Sequence, residues 1–282
     1  MISEDQLRHA AAVWRIDPMI VDLDYVLGCF LSQWSLEPTV SRMRFKGGTC
    51  LRKCYFAEYR FSEDLDFTAE EELDIQRADR LVQRLIQRVG DTFGIDLAAA
   101  PPLLRRMTEE DEEASLEARL YYRGPLRRTG APRAIRLHIS AQEHLVFPAA
   151  VRPLHHPYDD SHLVQPARVL CYDLREVLAE KLRAISGQRK HAVSRDLFDL
   201  HYLLTQGGLS LSAVDSVLGP KFAAKRLSIG SIDPAALNAR KGEFQRDWSQ
   251  NLSHLVPSPN RVTFEDAWKT ASRAVAHVAS LA

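Results

Sequence analysis

Long apolar runs, cysteine and net charge are all scarce in this chain of 282 residues. No stretch approaches the roughly 20 consecutive apolar residues that a membrane span needs, so no membrane partner is expected. The opening "MISEDQLRHA" is acidic and polar where a secretory leader would be basic and then apolar, which makes the cytoplasm the expected location. The four cysteines, Cys29, Cys50, Cys54 and Cys171, contain no Cys-x-x-Cys pair. Cys50 and Cys54 have helical spacing with no histidine cluster beside them, so reduced intracellular thiols are expected. The 37 basic and 37 acidic side chains cancel, which removes the global basic signature of a nucleic-acid binder. The charge is uneven, however. Acid gathers in "TEEDEEASLE" (108–117) and base in 42–53, 123–136 and 183–195, so a zero sum leaves room for a basic face. Neither an internal repeat nor a low-complexity tract is present.

Hydrophobic and charged contents of 45% and 26% are those of an ordinary folded protein, long enough for one large domain or two moderate ones. Ser3 fits a helix N-cap ahead of "EDQLRHAAAVWRI", and Ile20, Leu23, Val26, Leu27, Phe30 and Leu31 carry a second helix over 18–35. "RMRFKGG" (42–48) alternates as a half-exposed strand does, and a short helix, "TCLRKCYF", follows its glycines. "RFSEDLDF" (60–67) reads as a strand, residues 72–93 as a long helix, and 116–124, 133–140, 144–151 and 167–173 as further strands. From Asp173 the pattern is helical, with a loop at 249–260 before a last helix over 262–281. The expectation is an α+β chain with a mixed region over 1–172 and a helical region over 173–282.

The chemistry concentrates in "RFSEDLDF", which packs four charges into eight residues. Side chains alternate on a strand, so Ser62, Asp64, Asp66 and Thr68 would share one face while Phe61, Leu65 and Phe67 enter the core. Two carboxylates about 7 Å apart along a strand suit a hard divalent cation that bridges them to a polyphosphate. Upstream, Lys46, Gly47, Gly48 and Thr49 make a turn into a short helix, where bare backbone can approach a phosphate.

"FKGGTCLRKCYF" followed by "RFSEDLDF", with "REVLAEKLRAI" and "RDLFDL" in order downstream, resembles the AbiEii/AbiGii (MenT-like) nucleotidyltransferase toxins. The likeness spans roughly residues 20–205. It implies the DNA polymerase β-type nucleotidyltransferase fold, metal-dependent transfer of a nucleotidyl group, and the toxin half of a toxin–antitoxin pair with a cognate antitoxin. For some relatives it implies tRNA 3′ ends as acceptor. Position by position, Ser62 and Asp64 match the nucleotidyltransferase motif and Asp66 completes it, while Lys181 and Asp196 match the later lysine and aspartate. Enzymes of that fold commonly carry a third carboxylate on a following strand. Here "AIRLHIS" offers Arg136, His138 and Ser140 instead, so His138 stands where an acid is looked for.

Helical periodicity marks the downstream residues independently. Leu174, Val177, Leu178, Leu182 and Ile185 define one apolar stripe with Lys181 inside it and Arg175 and Arg183 opposite. In "SRDLFDLHYLL", Asp196 falls between Leu200 and Leu203, with Asp199 nearer the margin. A lysine so placed meets an anion or snorkels to an edge. It would either neutralise a triphosphate or pair with Asp196, and Arg195 would face a phosphate or solvent. The leading expectation is an enzyme that uses an NTP and Mg²⁺ (or Mn²⁺) to add a nucleotide to RNA. Nucleotidylation of a protein, a non-catalytic nucleotide- or antitoxin-binding module and a two-carboxylate hydrolase are the alternatives.

Overall fold

Residues 1–107, 115–127, 129–141, 143–164, 166–258 and 262–282 are described by the computed structural model. Residues 108–114 of the acidic run, Arg128, and Pro259 and Asn260 of the expected loop lie outside them. The described chain packs as two units, the first mainly Met1–Glu143 and Ala149–Cys171, the second mainly His144–Pro148 and Tyr172–Val256 with the C-terminal helix.

The first unit is built on one mixed sheet of seven strands. In chain order these are β1 (Arg44–Lys46), β2 (Asp64–Ala69), β3 (Asp96–Met107), β4 (Ser115–Arg123), β5 (Arg133–Ala141), β6 (Ala150–Pro153) and β7 (Arg168–Cys171). They lie side by side as β3-β4-β5-β2-β1-β7-β6, with β2 parallel to β5 and β1 parallel to β7. Helices α1 (Glu4–Trp14), α2 (Pro18–Trp34), α3 (Gly47–Cys50), α4 (Ile75–Phe93) and α5 (Ser161–Val164) complete the unit. Ser3 caps α1 through a capping box with Gln6, and Asp17 caps α2 ahead of a proline at its first turn.

Helix α2 is buried along nearly its whole length. Its Trp34 ring stacks on Phe67 of β2 at 4.3 Å, and Phe67 stacks on Phe45 of β1 at 4.8 Å. With Leu65 these side chains fill one face of the sheet centre, each burial stabilising by about 1.5–3 kcal/mol. The opposite face of β2 is thereby left to its polar residues.

Two expected strands change and one unexpected strand appears. The strand of "RFSEDLDF" begins only at Asp64, and Arg60–Glu63 approach it as irregular chain, so Ser62 is not a member of the strand face. Of the expected 144–151 strand only Ala150 and Val151 are in a strand, as the start of β6. Residues 144–148 belong to the second unit, where the Glu176 carboxylate accepts from the Val146 and Phe147 amides. Strand β3 was not expected at all, because Pro101 and Pro102 cannot donate to a ladder. It exists because it is an edge strand whose pairing register to β4 shifts between Ala100 and Leu103.

The second unit is helical: α6 (Leu174–Arg183), α7 (Ser194–Thr205), α8 (Asp215–Ala223), α9 (Pro234–Ala239), α10 (Lys241–Asp247) and α11 (Phe264–Ala279). Much of the expected loop at 249–260 is instead helical turns over Trp248–Leu252 and Ser253–Leu255. Asp173 caps α6 through the Arg175 amide, but Glu176 does not complete a capping box. It is buried against Lys221, its carboxylate holding the 144–148 segment. Arg183, expected outside, is buried too and donates to the Lys221 carbonyl at 3.0 Å.

Candidate active site

The glycine turn forms where β1 ends and α3 begins with no intervening loop. Gly47 has φ +79°, a left-handed conformation that L side chains rarely adopt. A Cβ there would also lie 2.5 Å from Oδ2 of Asp66, so the carboxylate sits directly against bare backbone. Gly48 is hemmed from another side: its Cβ would meet Nη2 of Arg60 at 2.6 Å and Oγ of Ser62 at 2.9 Å. An acid, a guanidinium and a hydroxyl therefore converge on two consecutive glycines. Thr49 adds a tie through its side chain. It is buried, and its hydroxyl donates to the Asp64 carbonyl at 2.5 Å, tying the turn to the start of β2.

Register decides what surrounds the two aspartates. Asp64 lies opposite Arg136 and Asp66 opposite His138 on β5, while on β1 Lys46 lies opposite Asp66. Asp64 Oδ1 is 3.6 Å from Arg136 Nη1, and Asp66 Oδ1 is 3.9 Å from His138 Nδ1. Lys46 bonds Ser140 at 3.2 Å and forms an ion pair with Glu143. The aspartate side chains keep 35% and 34% of their surface exposed, so both remain reachable from solvent. Two hard oxygen donors on one open face, beside a turn without side chains, fit a divalent cation that carries phosphate.

Two residues of this face escaped the sequence reading. Arg60 is buried, and its approach to Gly48 brings a guanidinium to the turn. Its one sequence signal was a basic residue heading the acidic octet. Glu117 of β4 lies opposite His138 and points to the same face, placing a third carboxylate in one row with His138 and Asp66. At about 4.8 Å per strand it sits roughly 10 Å across the sheet from Asp66. Only the alternation of "LEARLYY" hinted at it, because cross-strand register is not written in local sequence.

The second unit gathers Lys181, Asp196 and Asp199 by packing α6 against α7. Lys181 Nζ is 2.6 Å from Asp196 Oδ1 and 2.7 Å from Asp199 Oδ2, and Arg189 reaches the other Asp196 oxygen at 2.6 Å. Asp199 is fully buried rather than marginal, so the lysine pairs with both acids. Arg195 is half-buried beside Asp247, whose carboxyl falls below the usual range despite burial because it accepts from Ser194 and Asn251 and lies near that guanidinium.

The expected basic track is thinner than the sequence implied. Arg52 and Lys53 are buried around Asp24, with N···O distances of 2.7 Å each, and Arg183 is buried as described above. Arg136 and Arg119, opposite one another on β5 and β4, lie on the carboxylate face with 61% and 43% of their side chains exposed, Arg119 paired with Glu117 at 3.0 Å. Among the described residues no helix is long and apolar enough to cross a membrane.

The model of a family described as nucleotidyl transferase AbiEii toxin, type IV toxin–antitoxin system, matches residues 29–271. The fold is similar to MenT4, a nucleotidyltransferase toxin from Mycobacterium tuberculosis, at TM-score 0.56 and 19% identity over 99% of each chain. It is also similar to JHP933 from Helicobacter pylori, at TM-score 0.56 and 17% identity over 94% of each chain. No curated protein matches the sequence significantly.

Proposed function

The chain belongs to the AbiEii family of nucleotidyltransferase toxins, and from that premise we propose that it moves a nucleoside monophosphate from an NTP to RNA, at the 3′ end of tRNA, and so blocks translation. Its nucleotidyltransferase activity and its place in a toxin–antitoxin pair, with an antitoxin as partner, come with the family. The observation that supports the site is the Asp66 carboxylate packed against the Gly47 backbone, with Asp64 on the same face.

In this reading Gly47 and Gly48 let the triphosphate approach the main chain, and Arg60 and Ser62 donate to its oxygens. Asp64 and Asp66 would hold the divalent ion, Mg²⁺ or Mn²⁺, which when bound neutralises charge on the triphosphate. The acceptor hydroxyl oxygen attacks the α-phosphorus, the bond to the β-phosphate bridging oxygen breaks, and pyrophosphate leaves. The hydroxyl proton passes to the Asp64 carboxylate. Thr49 keeps Asp64 in place from behind. Lys181, with Asp196 and Asp199 orienting its ammonium, supplies positive charge for the triphosphate, a role that rests on the family resemblance. Exposed Arg136 and Arg119 suit the acceptor's phosphate backbone.

Incubation with each labelled NTP, Mg²⁺ or Mn²⁺, and total RNA, comparing wild type with Asp64→Ala, tests this directly. Label entering tRNA only with the wild-type chain supports the reading. Label on protein instead would replace the acceptor, and equal labelling by the variant would remove Asp64 from the chemistry.

A further inference from the structure

Cys50 ends α3, Cys54 lies in the π-helical turn Leu51–Tyr55, and Cys171 ends β7. All three are fully buried, and their sulfur atoms lie within 4.8 Å of one another. Helical spacing puts Cys50 and Cys54 on one side of their segment, and the parallel β1–β7 pair, with Phe45 opposite Cys171, delivers the third thiol from far along the chain. Among the described residues this is the one cluster of three or more His, Cys, Asp or Glu ligand atoms that close together.

Two neighbours distinguish it from ordinary core thiols. His155 is held beside Cys54 by its amide, which donates to the Lys53 carbonyl at 2.6 Å. Its imidazole is half-buried, and its ring nitrogens do not lie within 4.8 Å of all three sulfurs, so the ring has to turn to reach them. Arg152 of β6 lays its guanidinium over the Tyr55 ring at 4.7 Å, next to Cys54, and its buried Nε has no hydrogen-bond partner. A buried guanidinium nitrogen without an acceptor, on the strand whose Ala150 pairs with Cys171, favours a negative group nearby.

We propose that Cys50, Cys54 and Cys171 hold a structural zinc ion and that His155 turns in as its fourth ligand. Tetrahedral Zn²⁺ with Zn–S near 2.3 Å sets sulfurs about 3.8 Å apart, so the three sulfurs need to draw together by no more than about 1 Å. On binding, the three thiols release three protons to solvent and become thiolates. One Zn²⁺ with three thiolates and a neutral imidazole carries a net charge of −1, which the Arg152 guanidinium balances. The ion would tie the segment behind the glycine turn to the far strand β7. It takes no part in nucleotidyl transfer, so the two proposals fail separately.

The test uses the full chain purified from zinc-supplemented culture. Metal analysis should find one zinc per chain, and a thiol-specific mercurial should release it as three equivalents are added. Replacement by Co²⁺ should give thiolate-to-cobalt charge-transfer absorption. Cys54→Ser and Cys171→Ser should lose that absorption, His155→Gln should keep it with weakened affinity, and Cys29→Ser should change nothing. Should the serine variants not fold, the mercurial titration of wild type still decides. A chain that stays metal-free in excess Zn²⁺, without the cobalt signature, or a Cys29→Ser variant that loses metal as the others do, overturns the site.

Discussion

Two carboxylate–cation groups lie in the same unit and differ in one respect, access to water. Asp24 of α2 is fully buried and accepts from Arg52 at 2.7 Å, Lys53 at 2.7 Å and the Tyr158 hydroxyl at 2.8 Å. Arg52 also donates to the Tyr59 carbonyl and lies 3.5 Å over the Phe61 ring, so its charge is committed on every side. Burial alone would raise the Asp24 pKa. The charges and hydrogen bonds of Arg52 and Lys53 outweigh it and hold the carboxyl far below the usual carboxylate range. Asp64 and Asp66 also have neighbours, the Arg136 guanidinium at 3.6 Å and the His138 ring at 3.9 Å, but each aspartate keeps about a third of its side chain exposed. The first group is closed and stabilises the fold. The second keeps open surface, the condition for meeting a ligand.

The comparison is broken most sharply by paired substitutions. Asp66→Asn should lower nucleotidyl transfer by roughly 10³-fold, the scale on which removing preorganised charge acts, with the melting temperature little changed. Asp24→Asn should do the reverse. It leaves two buried cations short of their anion, and chemical denaturation should show a loss of about 3–5 kcal/mol while activity per folded molecule persists. If Asp24→Asn removes transfer without destabilising, the two groups have been assigned the wrong way round.

Gly47→Ala falls between these extremes. Its φ of +79° costs an L residue about 1–2 kcal/mol, and the added methyl displaces Asp66, so both stability and transfer should fall. The acid response sharpens the Asp24 half. A carboxyl whose folded pKa is depressed contributes its stability fully above its unfolded value of about 4 and loses it as pH falls below that. The wild-type advantage over Asp24→Asn should therefore be flat above about pH 4 and shrink beneath it in pH-dependent unfolding curves. The smallest effect is expected at Arg136→Ala, which should weaken RNA binding a fewfold and reduce the slope of log affinity against log salt by about one.

Much of this was legible locally. The capping box at Ser3, the alternation of Leu65 and Phe67 against Asp64 and Asp66, and the turn at Gly47–Gly48 each depend on neighbours a few residues away. Lys181 and Asp196 stood out because a charge inside an apolar helical stripe needs a counter-charge, and each supplies the other's. The illegible parts are non-local. Strand β3 hid behind two prolines that only an edge position tolerates, and Arg52 and Lys53 read as part of a basic stretch over 42–53 because nothing near them announced Asp24. Arg60 gave no sign that it would fold back onto Gly48.

Sequence by itself determined most of the elements, the sidedness of β2 and the position of the glycine turn, since these follow from periodicities of two and 3.6 residues and from backbone sterics. Tertiary structure alone decided which cations are closed off around Asp24, that Glu117 stands in one row with His138 and Asp66, and that Cys171 meets Cys50 and Cys54. Strand order and register bring together residues whose separation along the chain carries no trace of the meeting, and burial then sets which charges water can reach.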